Sequence, residues 1–162
     1  MSAVQQGRAS AAKHERGRRR SGADRLALGQ LDKHLGYFVR RLQIWIFQDF
    51  IRTLRPLNVR PAQYSVLLLV EANPGRTQAA IAQTLGIERA RLARMLHELE
   101  RRGWISRADG RDARSHALHL TADGAKALAK IKRLAERHER QLIRHLGARR
   151  HRQSIEALRE FG

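Results

Sequence analysis

The stretch from Thr77 to Gly103 constrains the fold more than any other part of this 162-residue chain. Two segments with helical spacing of apolar residues flank Gly86, and glycine readily adopts the positive φ of a tight turn. Thr77 is a suitable N-cap for the first segment, and the second carries an apolar stripe from Leu92 to Leu99. Two helices that cross steeply through a short turn form a helix-turn-helix. An ordinary helical hairpin in a core is the alternative.

The outer face of the second helix is rich in arginine, which argues against the ordinary hairpin. Arg89, Arg91 and Arg94 lie off the apolar stripe, in the N-terminal half of the helix. A recognition helix contacts base edges and phosphates of the major groove with this half. The pattern therefore predicts a helix that reads double-stranded DNA.

A β-hairpin is predicted directly after this helix. The runs 104–107 and 116–120 have strand character, and a turn rich in Gly, Asp and Arg separates them. A hairpin at this place is a wing, whose Arg111 and Arg114 are predicted to enter the minor groove. Asp112 is interpreted as the residue that orients one of these arginines through a charge-assisted hydrogen bond.

Helices are predicted on both sides of this winged module. Apolar residues at spacings of three and four from Leu31 to Leu54 predict one helix of about 24 residues, and a second helix begins at Pro61. Thr121 is predicted to cap a long fifth helix that ends at Gly147, and a short sixth helix follows. Long helices at both ends of such a chain favour pairing across a two-fold axis, so a homodimer is expected.

Seven short segments along the chain form a recognisable series. They are Leu35-Gly36-Tyr37, Pro61-Ala62-Gln63-Tyr64, Asn73-Pro74-Gly75 with Thr77-Gln78, Leu85-Gly86-Ile87, Arg102-Gly103-Trp104, Asp112-x-Arg114 and Leu120-Thr121-x-x-Gly124. In their order and spacing these segments resemble the MarR family of winged helix-turn-helix regulators over about residues 35–161. The resemblance implies a mainly α (α+β) fold and a homodimer on a pseudo-palindromic operator. It also implies a repressor that a small molecule releases, and it adds Thr77 and Gln78 to the predicted DNA contacts.

The predicted domain organisation is an arm followed by one domain. Residues 1–25 have low hydrophobicity and carry 7 basic and 2 acidic side chains, which predicts a flexible basic arm. Residues 26–162 form a single MarR-like domain. Within it, 26–58 and 121–162 are dimerisation helices, and 61–120 is the DNA-binding module.

A candidate effector site lies on the first helix. His34, Phe38, Arg41 and Trp45 recur at spacings of four, three and four, so they share a face, and Tyr64 is predicted to close over them. An apolar slot with one cation suits an aromatic carboxylate, and the high arginine content makes a CoA thioester a second candidate. The alternative is that these aromatic side chains only build the core and the dimer interface.

The net charge of +18 and the pI near 11.8 point to a polyanionic partner, and nucleic acid is the commonest. The positive charge is spread along the chain, so a sequence-tolerant architectural DNA- or RNA-binding protein is the alternative function. The chain has no cysteine, which excludes disulfides, thiolate metal sites and iron–sulfur clusters. No apolar run approaches the ~20 residues of a membrane span, and no secretory signal is recognised, so a soluble cytoplasmic protein is expected.

Catalytic, cofactor and metal sites are not expected. The sequence has no phosphate-binding loop, nucleophile elbow or HExxH motif, so an enzyme is not predicted. Among the eight histidines, His116 and His119 are three apart in a predicted strand and point to opposite faces. His138 falls on the inner seam of the fifth helix, where a packed histidine is expected rather than a metal ligand.

Overall fold

The computed structural model describes residues 26–109 and 116–161 and is mainly helical with one two-stranded antiparallel sheet. This confirms the predicted fold class. Among the described residues, those from 26 to 41 belong to one compact unit and those from 42 onward to another. In the described part of the chain, no helix has the length and apolar character needed to cross a membrane. The elements are α1 (Leu35–Leu54), α2 (Pro61–Ala72), α3 (Gln78–Leu85), α4 (Arg89–Arg101), β1 (Ile105–Asp109), β2 (His116–Leu120), α5 (Ala122–Leu146) and α6 (Ala148–Arg159).

The first helix begins later than its apolar periodicity predicts. Residues 29–33 form a 3-10 helix, and His34 then has an extended backbone with φ −102° and ψ 112°. This break separates Leu31 from α1, which has 20 residues rather than about 24. The helix ends at Leu54, as predicted, before a short 3-10 turn that contains Pro56.

The core of the second unit is built by the apolar stripes of α2, α4 and α5 with the sheet. The predicted stripe of α4 is buried, and Leu92, Leu96 and Leu99 are fully inaccessible to solvent. Burying a leucine contributes about 1.5–3 kcal/mol, so these three side chains alone hold α4 firmly in place. The remaining large, fully buried apolar side chains are Leu54, Val66, Leu67, Val70, Leu118, Leu128 and Ile131.

Local capping sets the ends of α3 and the start of α5. The Thr77 hydroxyl accepts a hydrogen bond from the backbone N–H of Ala80 at 3.3 Å, and α3 ends at Gly86 with φ +61°. The Thr121 hydroxyl accepts from the backbone N–H of Gly124 at 2.9 Å. These bonds satisfy helix N–H groups that have no partner within the helix, and they confirm both predicted caps.

The sheet follows α4 without a long connection. Ile105 pairs with Leu120 and Arg107 with Leu118, so β1 and β2 are antiparallel, and β1 is shifted by one or two residues from the predicted run 104–107. An isolated bridge joins Thr77 to Ala117, which attaches the sheet to the start of α3. The helix-turn-helix and the hairpin therefore share one core.

Candidate nucleic-acid interface

The helix α4 separates an apolar face from an arginine face. Leu92 and Leu96 are fully buried, whereas Arg89, Arg91 and Arg94 are exposed. The buried leucines fix the rotation of α4 about its axis, so the three guanidinium groups are presented to solvent in its first half. This arrangement can place several cations on phosphates and base edges at the same time.

Thr77 caps the first helix of the helix-turn-helix, and Gln78 ties it to the second. The Gln78 Nε2 donates to the backbone oxygen of Arg89 at 3.2 Å, which ties the start of α3 to the start of α4. The Thr77 hydroxyl is engaged in the cap of α3. Both side chains are half-buried, so a DNA contact from either residue remains a prediction.

A polar network around the buried Gln63 joins α4 to the start of α2. Gln63 is 1% exposed, and its Nε2 donates to Glu98 Oε2 at 2.7 Å. The Gln63 Oε1 accepts from the backbone N–H of Arg60 at 3.0 Å, and Arg60 Nη2 donates to both Glu98 carboxylate oxygens at 3.0 and 3.1 Å. A buried amide with both ends satisfied specifies one arrangement of the helices it joins. Sequence reasoning missed this network.

Three contacts join the end of α4 to the sheet and to the loop before α2. Arg107 on β1 forms an ion pair with Glu100 on α4. The Arg102 Nη2 donates to the backbone oxygen of Asn58 at 2.8 Å, and its Cζ lies 4.9 Å from the ring centroid of Trp104. The direction of β1 is therefore coupled to α4.

The predicted wing-tip residues Arg111, Asp112 and Arg114 lie outside the described residues. Their contact with the minor groove stays a prediction. The strands that lead to and from this segment are described, and Ile105 and Leu118 anchor them in the core with 3% and 1% exposure.

A cavity of about 670 Å³ lies between α1, α2 and α4. Arg91 and Arg94 line it together with the ion pair of Arg60 and Glu98, so one side is charged. A pocket of this volume that combines apolar walls with a few cations suits an amphiphilic anion. The apolar lining comes from Phe47, Ile51, Pro61, Ala62 and Met95.

A second cavity of about 400 Å³ lies between α1, α2 and α5. His138 lines it and is only 4% exposed, as expected of a packed histidine. Its ring centroid lies 4.9 Å from that of Phe50, and its Nε2 lies 3.4 Å from Asp49 Oδ2. Within the described residues, no group of three histidine or carboxylate side chains is placed to hold a metal ion.

Tyr64 also lines this second cavity, with its ring centroid 5.8 Å from that of Phe50. Burial raises the pKa of its phenol above the ordinary value of 10.0, opposed by nearby Lys132 and reinforced by Glu136. The phenol is therefore neutral at pH 7. Trp45 does not line this cavity, and its ring instead lies 5.3 Å from that of His145.

The other predicted effector residues lie in the first unit. Arg41 Nη1 donates to the Tyr37 hydroxyl at 2.9 Å, and the rings of Tyr37 and Phe38 meet edge to face at 5.2 Å. His34 and Phe38 are exposed. The predicted role of these residues in effector binding remains a prediction.

Comparison with protein families gives a match to the segment that contains α2, α3, α4 and β1. The model of the MarR family matches residues 57–115. A Thauera aromatica protein named as a transcriptional regulatory protein for the hcr operon is 32% identical over 123 residues. These cover 75% of this chain and 74% of that protein.

Two solved structures of a transcriptional repressor, CouR, extend the similarity. One, bound to a 23-mer DNA duplex, is 43% identical with a TM-score of 0.81 and covers 85% of this chain and 99% of its own. Another, bound to p-coumaroyl-CoA, is 42% identical with a TM-score of 0.76 and covers 85% and 97%. The similarity thus includes helices on both sides of the helix-turn-helix.

Proposed function

The chain belongs to the MarR family and is a DNA-binding transcriptional regulator, and we propose that it is a repressor that an acyl-CoA thioester releases. The observation that carries DNA binding is α4, which exposes Arg89, Arg91 and Arg94 to solvent while Leu92, Leu96 and Leu99 are fully buried. We propose that these arginines bind the operator in the major groove, with Arg111 and Arg114 in the adjacent minor groove. Asp112 is proposed to orient one of the wing arginines, and Thr77 and Gln78 are proposed to add contacts to the operator from the start of α3.

The repressor is proposed to act as a homodimer. Exposed large apolar side chains occur in α1 and α6, and solvent-exposed apolar surface of this kind marks an interaction site. A second copy of the chain would cover it by pairing the same helices. The exposed residues on these helices and just beyond α6 are Leu35, Phe38, Val39, Leu42, Ile44, Trp45, Phe47, Ile51, Ile155, Leu158 and Phe161.

The dimer and its operator are testable together. Sedimentation equilibrium at micromolar concentration is expected to give about twice 18.6 kDa. Footprinting of the neighbouring intergenic DNA is expected to give an inverted repeat with half-sites ~10 bp apart, because two recognition helices contact one face of the duplex. A monomer, or a footprint without dyad symmetry, would contradict the proposal.

The alternative function, a sequence-tolerant architectural binder, predicts a different competition result. A specific repressor binds its operator about 10³- to 10⁷-fold more tightly than random DNA at physiological salt. Competition of a labelled operator with random duplex measures this ratio directly. A ratio near one would favour the architectural function, which the net charge of +18 alone could support.

The effector is proposed to occupy the cavity between α1, α2 and α4. The cavity next to Phe47 and Ile51 is apolar and suits an aromatic acyl group, while Arg91 and Arg94 at its border suit the phosphates of CoA. A CouR structure with p-coumaroyl-CoA bound, at 42% identity, supports this ligand class. A ligand that binds the DNA-free state more tightly than the DNA-bound state lowers operator affinity, at saturation, by the ratio of its affinities for the two states.

The alternative effector site is the set predicted from the sequence, which consists of His34, Phe38, Arg41, Trp45 and Tyr64. One pair of variants distinguishes this site from the cavity between α1, α2 and α4. Phe47 and Trp45 are two residues apart on α1 and are 49% and 43% exposed, so each is a matched control for the other. We expect p-coumaroyl-CoA to release operator DNA, and F47A to raise the required concentration about tenfold, which corresponds to ~1.4 kcal/mol. W45A is expected to change it less than twofold.

The opposite pattern, with W45A and Arg41→Ala impaired and F47A unchanged, would place the effector at the alternative site. Release by neither p-coumaroyl-CoA nor other aromatic acyl-CoA thioesters would contradict the ligand class. Free p-coumarate and free CoA serve as controls for the acid and for the nucleotide. Sedimentation of each variant shows whether the substitution has disturbed the dimer instead.

A further inference from the structure

The solvent face of α5 carries a continuous line of cations that the proposed operator and effector sites do not include. Its six residues are spaced four, three, four, three and four, so at 100° per residue they fall within about 40° of one line along the helix. Every position from 126 to 144 in this arc is lysine or arginine, and all six side chains are exposed. The α5 cation line consists of Lys126, Lys130, Arg133, Arg137, Arg140 and Arg144.

Most of this charge is not neutralised by neighbouring carboxylates. Lys126 Nζ lies 3.2 Å from Asp123 Oδ1, and Arg140 Nη1 lies 3.9 Å from Glu136 Oε2. Both pairs are highly exposed and therefore weak. In the described part of the chain, no carboxylate oxygen lies within 4.0 Å of Lys130, Arg133, Arg137 or Arg144.

A groove runs along the cation line, between α5 and the segment that joins α1 to α2. Lys130, Arg133 and Arg137 line a cavity of about 560 Å³ whose opposite wall includes Pro56 and Leu57. Leu57 and Lys130 also border an adjoining cavity of about 300 Å³. None of the residues that line these two cavities lines the cavity beside the arginines of α4. The cation line is therefore a separate surface.

The chemistry of the line favours a nucleic-acid backbone over a protein partner. Protein interfaces depend on buried aromatic or aliphatic anchors. Among the described residues, the exposed large apolar side chains lie within 26–51 and 155–161, and none is on α5. From Lys126 to Arg144 the line extends about 27 Å at 1.5 Å per residue. A duplex of that length presents about 16 phosphate charges, one per 1.7 Å.

We propose that the α5 cation line is a second DNA-binding surface, which holds a duplex through its phosphates without reading the sequence. Through it, a protein whose α4 is bound to one DNA segment holds another. This goes beyond operator recognition, because it predicts that one protein bridges two duplexes.

A bridging assay with full-length protein tests the proposal. The operator fragment found by footprinting is fixed on beads, protein is added to saturation, and capture of a fluorescent random 30-bp duplex is measured. The line variant is K130Q/R133Q/R137Q. The matched control is R149Q/R150Q/R152Q, which removes three exposed cations from α6. We expect the line variant to capture less than a tenth of the wild-type amount, and the control to capture more than half.

Salt dependence and operator affinity complete the test. Loss of three phosphate contacts is expected to lower the slope of log K against log salt by about 2.7 for the captured duplex. Between 50 and 200 mM salt, the affinity of the line variant for the captured duplex is therefore expected to fall about 40-fold less than that of the wild type. Operator affinity of the line variant, measured separately, is expected to stay within twofold of wild type. If footprinting finds no operator, a random duplex is fixed on the beads instead, so failure of specific recognition and failure of bridging are distinct results.

Four outcomes would overturn the proposal. Equal capture of the random duplex by the line variant and the wild type would show that the α5 cation line does not bind DNA and is an ordinary solvated face. Equal loss of capture in the line variant and in the α6 control would show that net charge, rather than the position of the cations, causes the capture. A fall in operator affinity of the line variant would place the line within the operator interface. Line-dependent binding of a fluorescent polyglutamate peptide without bridging would identify an acidic protein as the partner.

Discussion

Replacement of Arg91 or Arg94 by alanine is expected to weaken operator binding by about 5- to 150-fold each, which corresponds to ~1–3 kcal/mol. Both side chains are exposed on the first half of α4, where fully buried Leu92 and Leu96 leave the helix no freedom to rotate. Truncation is therefore expected to remove the proposed DNA contact without disturbing the core. Fluorescence anisotropy with labelled operator, in parallel with random duplex, measures the loss.

Comparison of operator with random DNA identifies the kind of contact. An arginine that binds a base edge loses affinity mainly for the operator and relaxes specificity at one position. One that binds a phosphate weakens both DNAs alike and lowers the salt slope by about 0.9. R101A is the control, because Arg101 is also exposed but lies near the end of α4. If R91A and R94A bind operator as tightly as R101A, α4 is not the recognition helix.

The helix ends of the DNA-binding module are predictable from sequence because their signals are local. Thr77 and Thr121 each accept a hydrogen bond from an N–H three residues further along the chain. Gly86 ends α3 with the positive φ that glycine tolerates best. The start of α1 is not predictable in this way. Leu31 keeps the helical spacing of apolar residues, although the extended backbone at His34 interrupts the helix.

The features that surround α4 depend on tertiary packing and have no local signal. Gln63 and Glu98 are 35 positions apart, and only the packing of α2 against α4 brings the amide to the carboxylate at 2.7 Å. The cavity beside Arg91 and Arg94 likewise needs walls from three helices. The sequence identifies the arginines of α4, but it does not reveal that the same guanidinium groups border a cavity large enough for a ligand.

Gly124→Ala is expected to strongly destabilise the junction between the entry to β1 and the start of α5. Gly124 is buried in the first turn of α5, where an added Cβ atom would overlap the backbone oxygen of Trp104 and lie 2.8 Å from its carbonyl carbon. Thr121 keeps the backbones of α5 and Trp104 close together, because its N–H donates to the same Trp104 oxygen at 3.1 Å. Its hydroxyl also donates to the backbone oxygen of Gly103 at 2.5 Å.

Neither backbone can yield without breaking those bonds, so the added methyl group must push α5 away from the entry to β1. Overpacking of this kind costs about 1–3 kcal/mol and more when backbone has to move. We expect a loss of about 3 kcal/mol, which lowers Tm by roughly 6–12 °C in a chain of this size. Calorimetry measures the shift, and Trp104 fluorescence in a W45F background reports the displacement at β1.

Gly36→Ala is the matched control, since Gly36 is exposed in α1 and a Cβ there meets no atom within 4 Å. It is expected to leave Tm unchanged or to raise stability by about 0.4–1 kcal/mol, because alanine restricts the unfolded chain. A Gly124→Ala protein with the same Tm as the wild type would show that α5 does not pack closely against the Trp104 carbonyl. The coupling of β1 to α5 would then rest on Thr121 alone, and Thr121→Ala, rather than Gly124→Ala, would lower Tm.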